Sequence, residues 1–325
     1  MAVYFYMSNS PDGWQNLATD RFFLENLKQD DIMLYFYINA NAVIIGRNQN
    51  AWRECNIEAM EKDSVQLVRR HTGGGAVYHD CQNLNFSFIM NEAKYDVRRQ
   101  MGVIQKMVAR LGMTAELSGR NDILIDGKKF SGNAFAASKG MNAHHGTILV
   151  NSDLNKLGGY LNVSKKKMQA KGVTSVKSRV CNLRDFNQDV TVQTVIDLLK
   201  QEYAAEYGAF TEYKLSPQEQ EKIATLYSEF SSWSWRFGRT PSFNYQLEER
   251  FSFGEMQFLF QVEDGMIAEV SVFTDALDTE LVQLVESRMT GIRFMPQDMA
   301  QALTKAPVRA EFEEIAQYIN SGDVL

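Results

Sequence analysis

The N-terminal part of the chain has its apolar residues in short runs that predict β-strands. Each run is too short for an ordinary helix and ends at polar or glycine residues. The predicted strands are residues 3–7, 32–38, 43–46, 65–69 and 83–90. Between the first two, residues 14–27 repeat their apolar side chains at helical spacing and predict a helix.

The middle of the chain combines helical patterns with a hairpin. Residues 95–111 and 190–203 predict helices. In DILIDGKKFSGNAFA, residues 122–136, two strand-like runs flank Asp126-Gly127. An Asp-Gly pair between such runs strongly favours a two-residue hairpin turn.

The pattern changes near residues 237–244, where FGRTPSFN is rich in turn residues. Beyond it, Asp264-Gly265 predicts the turn of a second hairpin between residues 250–262 and residues 266–273. The remaining apolar periodicity predicts helices at residues 279–289, 297–304 and 309–319.

Length and composition limit the possible folds and partners. At 325 residues the chain can form a large domain and a smaller one, and its 45% hydrophobic content excludes extensive disorder. We expect an α+β fold with a main domain over residues 1–245 and a small accessory α+β domain over residues 246–325. The net charge of −6 argues against a protein built mainly to bind nucleic acid.

Targeting signals and cysteine usage predict the compartment. We find neither a leader pattern nor an apolar run near the roughly 18 to 20 residues needed to span a bilayer. The cysteines, Cys55, Cys81 and Cys181, are odd in number and form no CxxC pair. These features predict a reduced, cytoplasmic protein without disulfides or membrane association.

The stretch VRRHTGGGAVYHD, residues 68–80, contains the strongest local anomaly. Gly73–Gly75 leave their main-chain N–H groups unshielded, so they could hold a phosphate or carboxylate oxygen, with Arg69 and Arg70 supplying charge. The alternative is a glycine turn between two strands with solvated arginines. The chain has no GxxxxGK[ST] and no complete GxGxxG, so a nucleotide site here is neither a P-loop nor a Rossmann site.

Lys129 is a candidate for a charge-stabilising group on the first hairpin. Strict alternation places Lys129, Ser131 and Asn133 on one face and Lys128, Phe130 and Gly132 on the other. If Phe130 enters the core, the Lys129 ammonium is fixed on the polar face. The alternative is an ordinary solvated lysine.

The histidines occur as two pairs. His71 and His79 bracket the glycines, and His144-His145 lie ahead of a strand predicted at residues 146–151. The chain offers no zinc ligand pattern and no GxSxG nucleophile, so substrate hydrogen bonding in a shared cleft is the favoured interpretation. Two structural histidine pairs are the alternative.

Residues 164–179, SKKKMQAKGVTSVKSR, contain six basic residues and no acidic ones. A solvated basic face is the usual explanation for such a segment, and nucleic-acid contact is the next. A mobile loop that closes over a polyanion, such as ATP, is the sharper hypothesis.

Several segments together, in their order, resemble the lipoate–protein ligase family. They are GRNQN at 46–50, RRHTGGGAVYHD at 69–80, NLNFSFI at 83–89, GRNDILIDGKKFSGNAF at 119–135, HHGT at 144–147 and KGVTSVKSRVCNL at 171–183. The resemblance extends through SSWSWRFG at 231–238 to the small C-terminal domain.

This resemblance implies a fold and a reaction. The expected catalytic domain, residues 1–245, is similar to that of biotin–protein ligases, with a mixed β-sheet flanked by helices. The implied activity is ATP-dependent: lipoate and MgATP form lipoyl-AMP and pyrophosphate, and the lipoyl group then passes to a lysine of a lipoyl domain.

The resemblance also assigns roles to residues. Lys129 matches the family's catalytic lysine, and the loop at residues 164–179 matches its adenylate-binding loop. Asp122 is the candidate ligand for Mg²⁺ or the adenylate. The expected lipoyl-AMP and ATP contacts are Arg69, Arg70, Gly73, Gly74, Gly75, Ala76, Val77, Tyr78, His79, Asp122, Lys129 and His145. On this interpretation the glycines let the main chain lie against lipoyl-AMP, where any Cβ would intrude.

The implied partners are apo lipoyl domains of 2-oxoacid dehydrogenase complexes and the glycine cleavage H protein. We expect no nucleic-acid partner and a monomer, although the sequence also allows a dimer. The alternatives are a cofactor-free lipoyl or octanoyl transferase, which would need Cys81 or Cys181 as nucleophile, a biotin–protein ligase, and a ligand-binding module without turnover.

Overall fold

The computed structural model describes residues 1–119, 121–162, 180–238 and 242–321. The strands are β1 (Val3–Met7), β2 (Ile32–Tyr37), β3 (Ala42–Ile45), β4 (Gln66–Arg69), β5 (Val77–His79), β6 (Asn83–Asn91), β7 (Glu116–Ser118), β8 (Asp122–Ile125), β9 (Lys128–Ser138), β10 (Met141–Leu149), β11 (Thr211–Glu212), β12 (Tyr245–Phe251), β13 (Gly254–Glu263) and β14 (Met266–Thr274). The α-helices are α1 (Gly13–Asn26), α2 (Ala51–Glu54), α3 (Ile57–Lys62), α4 (Val97–Arg110), α5 (Leu154–Tyr160), α6 (Val192–Tyr207), α7 (Pro217–Ser231), α8 (Trp233–Phe237), α9 (Leu281–Met289), α10 (Pro296–Leu303) and α11 (Ala310–Asn320).

A mixed sheet forms the centre of the larger part of the molecule. Among the described residues it has eight strands in the order β11-β1-β2-β6-β10-β9-β8-β7. Strand β1 pairs in parallel with β2 and β11. Every other neighbouring pair in this order is antiparallel, from β2 with β6 to β8 with β7. This arrangement confirms the predicted mixed sheet flanked by helices.

Both faces of this sheet are covered, which explains the continuous apolar sequence of β2, IMLYFY. Leu34 and Phe36 lie in the core beneath α4 and α6, while the alternate residues Tyr35 and Tyr37 lie in the core beneath α1 and α7. A strand buried on both faces loses the apolar–polar alternation of a half-exposed strand. Helix α1 begins where the Asp12 carboxylate accepts hydrogen bonds from the first main-chain N–H groups of the helix.

Two smaller sheets complete the fold. Strands β4, β3 and β5 form one of them, in that order, and place the residues on either side of the glycine triplet next to the main sheet. Strands β12, β13 and β14 form an antiparallel sheet that packs with α9, α10 and α11 around its own apolar core. The small C-terminal α+β unit predicted from the sequence is therefore present.

The predicted hairpin turns are confirmed by their backbone angles. Asp126 and Gly127 have φ of 49° and 73°, and Asp264 and Gly265 have φ of 49° and 74°. Positive φ at both central residues is the geometry that favours Asn or Asp followed by Gly.

Two sequence-based boundaries are wrong, and one long helix was missed. Strand β10 begins at Met141, so His144-His145 lie inside a strand and not ahead of it. The apolar run at 250–262 is two strands, because the chain turns at Ser252-Phe253 between β12 and β13. Helix α7 was not predicted, although Ser216 and Glu219 form a capping box at its start and Pro217 is its first residue.

No helix in the described ranges is long and apolar enough to cross a bilayer.

Candidate active site

A cavity of about 310 Å³ lies where the two smaller sheets meet the main sheet. One wall is the segment from Gly74 to His79, and the opposite wall is the β8–β9 hairpin with Asp122, Lys129 and Asn133. His145 of β10 and Leu17 of α1 line it on the side of the main sheet. Arg250, Asp275 and Leu277 reach it from the C-terminal unit.

The cavity brings together most of the residues predicted from the sequence. The predicted residues that line it are Arg70, Gly74, Gly75, Ala76, Val77, Tyr78, His79, Asp122, Lys129 and His145. Arg69 and Gly73 are not among the described residues that line the cavity. The basic segment at 164–179 lies outside the described residues.

Lys129 forms an ion pair across the hairpin. Its Nζ lies 2.6 Å from Asp122 Oδ1, and the two side chains are 28% and 25% exposed. Asp122 is opposite Gly132 in the strand register, so the lysine side chain crosses over this glycine to reach the carboxylate. The pair therefore presents an oriented ammonium group to the cavity.

A β-bulge sets the direction of Lys129. In the register of β8 and β9, Ile123 pairs with Ser131 and the next residue, Leu124, pairs with Lys129, which leaves Phe130 without an opposite residue. Phe130 is fully buried, as predicted. However, the predicted grouping of Lys129 with Ser131 is wrong, because the extra residue puts Lys129 on the same side as Gly132.

Two glycines make room for this arrangement. A Cβ on Gly132 would lie 2.6 Å from Lys129 Nζ, so a larger residue would displace the ammonium group. A Cβ on Gly146 would lie 2.5 Å from Phe86 Cζ and 2.6 Å from Asn133 Oδ1. Gly132 therefore leaves room for the flexible end of Lys129, whereas Gly146 leaves room for the packed side chains of Phe86 and Asn133.

The two arginines ahead of the glycines bind main-chain carbonyls. Arg69 donates to the carbonyl oxygens of Gly46, Arg47, Gln49, Trp235 and Arg236. Arg70 donates to those of Gly73, Gly75 and Ile44. Burial lowers the pKa of Arg70 to about 10. Arg69 thus joins α8 to the loop after β3, which explains its position outside the cavity, and Arg70 shapes the glycine segment from within.

The glycine triplet is constrained by neighbours on its outer side. A Cβ on Gly73 would lie 2.4 Å from the carbonyl oxygens of both Ala276 and Leu277. Gly74 has φ of +94°, and its N–H donates to the Ala276 carbonyl at 3.0 Å. At Gly73 the C-terminal segment already fills the space that a Cβ would need, so the protein itself requires glycine there, whether or not a ligand is bound.

His79 and His145 point into the cavity, whereas His71 and His144 do not line it in the described structure. Adjacent residues of a strand face opposite sides, so His144 enters the aromatic core beside Phe86 and Phe88. The shared-cleft interpretation thus fits one histidine of each pair.

Asp20 orients His145. The Asp20 Oδ2 atom accepts a hydrogen bond from His145 Nδ1 at 2.9 Å, and Thr72 Oγ1 lies 2.7 Å from His145 Nε2. Burial opposes ionisation of Asp20, but its hydrogen bond and electrostatic interaction with His145 outweigh the effect of burial, so the pKa of Asp20 is lowered. Burial lowers the pKa of His71 to about 3, so its 3.9 Å approach to Asp20 is not an ion pair at neutral pH.

Several lining residues were missed from the sequence. Asn83 and Asn85 occupy alternate positions of a buried strand, and polar residues at period two in NLNFSFI could have revealed them. Arg250, Asp275 and Leu277 have no local signal, because only the tertiary fold brings them to the cavity. Among the described residues, no group of three or more His, Cys, Asp or Glu side chains could hold a metal ion.

Comparisons with known proteins match this chain to lipoate ligases along most of its length. Residues 12–204 match the lipoyl protein ligase A/B catalytic domain, and residues 240–318 match the bacterial lipoate protein ligase C-terminus. The lipoate-protein ligase A of Psychrobacter cryohalolentis is 38% identical over 312 residues, which cover 93% of this chain and 89% of that relative.

Solved structures give the same result. The crystal structure of P. falciparum LipL1 in complex with lipoate is similar with a TM-score of 0.86 and 28% identity, covering 98% of this chain and 99% of that one. A crystal structure of lipoate-protein ligase A bound with ATP is similar with a TM-score of 0.64 and 28% identity, covering 74% of this chain and 100% of that one. The chain therefore belongs to the lipoate–protein ligase family.

Proposed function

We propose that this protein is an ATP-dependent lipoate–protein ligase, which converts lipoate to lipoyl-AMP and then transfers the lipoyl group to a lysine of a lipoyl domain. The observation that carries the proposal is the Lys129–Asp122 pair, held on a hairpin inside a cavity whose opposite wall is the Gly74–His79 segment. Attack of a carboxylate on a phosphate brings negative charges together, so a fixed cation is the group this reaction needs.

Lys129 is the residue to which we assign the main catalytic role. Its ammonium group would bridge the lipoate carboxylate and the α-phosphate during the first step, and would polarise the mixed anhydride carbonyl during the second. Positioned donors of this kind contribute roughly 10²- to 10³-fold in rate. Asp122, which holds the ammonium group at 2.6 Å, orients it for both steps.

The remaining walls would bind the ligand. The Gly74–His79 segment brings main-chain groups and the His79 ring to the cavity, and His145 adds a polar group on the side of the main sheet. Because Arg70 already donates to three carbonyls, we assign it to shaping this segment as well as to neutralising a nearby phosphate. Arg69 and Gly73 support the same segment from outside the cavity.

We assign Asp122 as the candidate Mg²⁺ ligand. Mg²⁺ commonly binds through one or two carboxylates together with substrate phosphates, so the Asp122 carboxylate in the cavity wall fits this use. Its ion pair with Lys129 supports this assignment, because Lys129 is the residue that we assign to the α-phosphate. When bound, the metal would neutralise phosphate charge.

We further propose a division of the chain into a catalytic domain, residues 1–245, and an accessory domain, residues 246–325. The proposed acceptors are lipoyl domains of 2-oxoacid dehydrogenase complexes and the glycine cleavage H protein, and the proposed state is a cytoplasmic monomer. Support for the acceptor class comes from family membership.

The transferase alternative needs a cysteine nucleophile at the cavity. None of the described residues that line the cavity is a cysteine. Burial raises the pKa of Cys55 to about 12 and that of Cys181 to about 11, which disfavours the reactive thiolate. Cys81 is exposed and does not line the described cavity.

The decisive experiment offers the protein lipoate, MgATP and a set of apo lipoyl domains. We expect pyrophosphate release and a mass increase of one lipoyl group on an acceptor. Lipoyl transfer from an acylated carrier protein without ATP would contradict the proposal, and so would equal use of biotin. If no pyrophosphate is released and no acceptor is modified under any of these conditions, the ligand-binding module without turnover is the alternative that remains.

A further inference from the structure

His79 has one ring nitrogen that is bonded and one that is not. Its Nδ1 lies 3.0 Å from Asn39 Nδ2. Its Nε2 is buried and has no hydrogen-bond partner among the described residues. The residue is 4% exposed and lines the cavity, so this nitrogen is available to a ligand. Leaving such a buried group unsatisfied costs free energy.

The orientation of the neighbouring amides is fixed by main-chain carbonyls. Asn16 Nδ2 lies 2.9 Å from the carbonyl oxygen of Ser10 and 3.2 Å from that of Ile38. Carbonyl oxygens only accept, so this atom must be the amide nitrogen of Asn16. On its other side, Asn16 Oδ1 accepts from the Ser8 hydroxyl at 2.6 Å.

This orientation passes to Asn39. Asn16 Nδ2 also lies 2.9 Å from Asn39 Oδ1. If the Asn39 amide were turned round, two NH₂ groups would face each other at this distance. Asn39 must therefore direct its own NH₂ group toward His79 Nδ1, which has to accept the hydrogen bond.

An accepting Nδ1 determines the state of the imidazole. In a neutral ring one nitrogen accepts and the other carries the proton, so the proton of His79 resides on Nε2. Burial, together with the nearby charges of Arg70 and His145, lowers the pKa of His79 to about 3. The ring is thus neutral throughout the physiological range, and a residue that lines the cavity has a buried N–H donor without a partner among the described residues.

We propose that Asn39 is a positioning residue, which fixes His79 as its Nε2–H tautomer so that the cavity offers a neutral N–H donor to an oxygen of the substrate bound there. The proposal rests on the proposed ligase function for the identity of the substrate, but not for the tautomer. The opposite tautomer would direct a lone pair at an anionic oxygen and repel it. Asn39 itself is not among the described cavity residues.

The first test is nitrogen-15 NMR of the histidine side chains in the wild-type protein, with His79→Gln used to assign the signal. We expect Nε2 of His79 to carry the proton and Nδ1 to be unprotonated. A proton on Nδ1, or a mixture of the two tautomers, would overturn the proposal. This measurement requires neither activity nor an altered Asn39.

The second test compares Asn39→Ala and Asn39→Asp with wild type in lipoate-dependent pyrophosphate release. For Asn39→Ala we expect the KM for lipoate to rise about 10- to 100-fold, the value of one hydrogen bond to a charged group, with a smaller change in kcat. An unchanged KM in a folded Asn39→Ala variant would contradict the proposal.

Asn39→Asp provides a pH signature that a purely structural role would not produce. The introduced carboxylate can only accept, so it favours a proton on His79 Nδ1 and raises the pKa of the ring. At low pH the doubly protonated ring still donates from Nε2. As the pH rises through the new pKa, Nε2 loses its proton and becomes an acceptor. We therefore expect the ratio of variant to wild-type KM to increase with pH.

Asn244→Asp is the matched control. Asn244 is exposed, its side chain bonds only to the main chain of Val262 among the described residues, and it does not line the described cavity. Its KM ratio should stay near unity at every pH. A ratio for Asn39→Asp that does not vary with pH would overturn the proposal. If wild type forms no lipoyl-AMP at all, the ligase assignment fails, while the NMR result still decides the tautomer.

Discussion

At Lys129 and Asp122, one ion pair can be essential for a reaction and still contribute little to stability. Both side chains are more than one fifth exposed, at 28% and 25%. Exposed ion pairs of this kind contribute about 0 to 1 kcal/mol to the free energy of unfolding. The same ammonium group, placed against a carboxylate and a phosphate in the transition state, would act where far less water screens it.

We predict that Lys129→Ala lowers the rate of pyrophosphate release by at least about 100-fold and leaves the fold intact. The neighbouring Lys128→Ala is the control, because Lys128 is exposed and does not line the described cavity. Pyrophosphate release and circular dichroism melting would be measured for both. Retained release in Lys129→Ala would contradict the catalytic assignment.

The buried histidines predict how stability depends on pH. Burial lowers the pKa values of His71, His79 and His144 from 6.5 to about 3. The unfolded chain therefore binds more protons than the folded chain between these two values, and stability falls as pH decreases from about 6.5 toward 3. Each group contributes up to about 1.4 kcal/mol per pH unit in that window.

His71→Leu tests this dependence with the simplest substitution. Neither ring nitrogen of His71 has a hydrogen-bond partner among the described residues. Removing it should reduce the combined histidine contribution to the slope by about one third, measured as urea unfolding free energies between pH 7 and pH 5. A slope equal to that of wild type would contradict the assignment of a neutral, buried His71.

At the scale of elements, the β-bulge in the β8–β9 hairpin determines the direction in which the Lys129 side chain points. At the bulge Phe130 and Ser131 are both fully buried, and Lys129 lies above Gly132. The absence of a side chain at Gly132 is what allows the lysine to lie across the strand to Asp122. The position of the Lys129 ammonium group therefore depends on Gly132, a residue without a side chain.

Gly132→Ala and Gly146→Ala should separate function from stability. In Gly132→Ala the new methyl meets the flexible end of Lys129 at 2.6 Å, so we expect pyrophosphate release to fall about 10-fold or more, with little change in melting temperature. In Gly146→Ala it meets Phe86 and Asn133 in the packed interior, so the free energy of unfolding should fall by about 1–3 kcal/mol. Equal thermal losses in the two variants would contradict this distinction.

Local chemistry explains which elements could be predicted from the sequence. The Asp126-Gly127 turn and the apolar run of β6 carry their own signals, and both are correct. The bulge at Phe130 could not be predicted, because it depends on how β9 pairs with β8. Likewise, pairing with β6 extends β10 through the two histidines that were expected to precede it.

The candidate site was predictable where one segment supplies it. The Gly74–His79 segment and Lys129, which line the same cavity, could be selected as candidates because each lies in a distinctive motif. The amide relay through Asn16 and Asn39 was not, because its hydrogen bonds join separate segments. Arg69 shows the limit of a local signal: its charge suggested a ligand contact, yet the fold surrounds it with main-chain carbonyls.

At the scale of the whole molecule, the C-terminal unit forms part of the cavity wall. Thr274 N–H donates to the Asn48 carbonyl at 2.9 Å, and Gly74 N–H donates to the Ala276 carbonyl at 3.0 Å. The Asn48 side chain donates to the Thr279 carbonyl at 3.1 Å. These contacts bring Leu277 to the cavity, so the glycine segment links the C-terminal unit to the expected substrate.

Gly73→Ala tests this link, because the added methyl would lie 2.4 Å from the carbonyl oxygens of Ala276 and Leu277. Backbone atoms cannot move aside as a flexible side chain can, so the C-terminal segment must shift. We expect faster hydrogen exchange at the amides of Gly74 and Thr274 and a roughly 10-fold loss of kcat/KM for lipoate adenylation. Gly102→Ala is the control: its Cβ would meet nothing within 4 Å in helix α4, so it should stabilise the protein by about 0.5–1 kcal/mol. If the exchange of both amides stays at the wild-type rate in Gly73→Ala, then the triplet does not hold the C-terminal segment, and the requirement for glycine at residue 73 must come from the ligand instead.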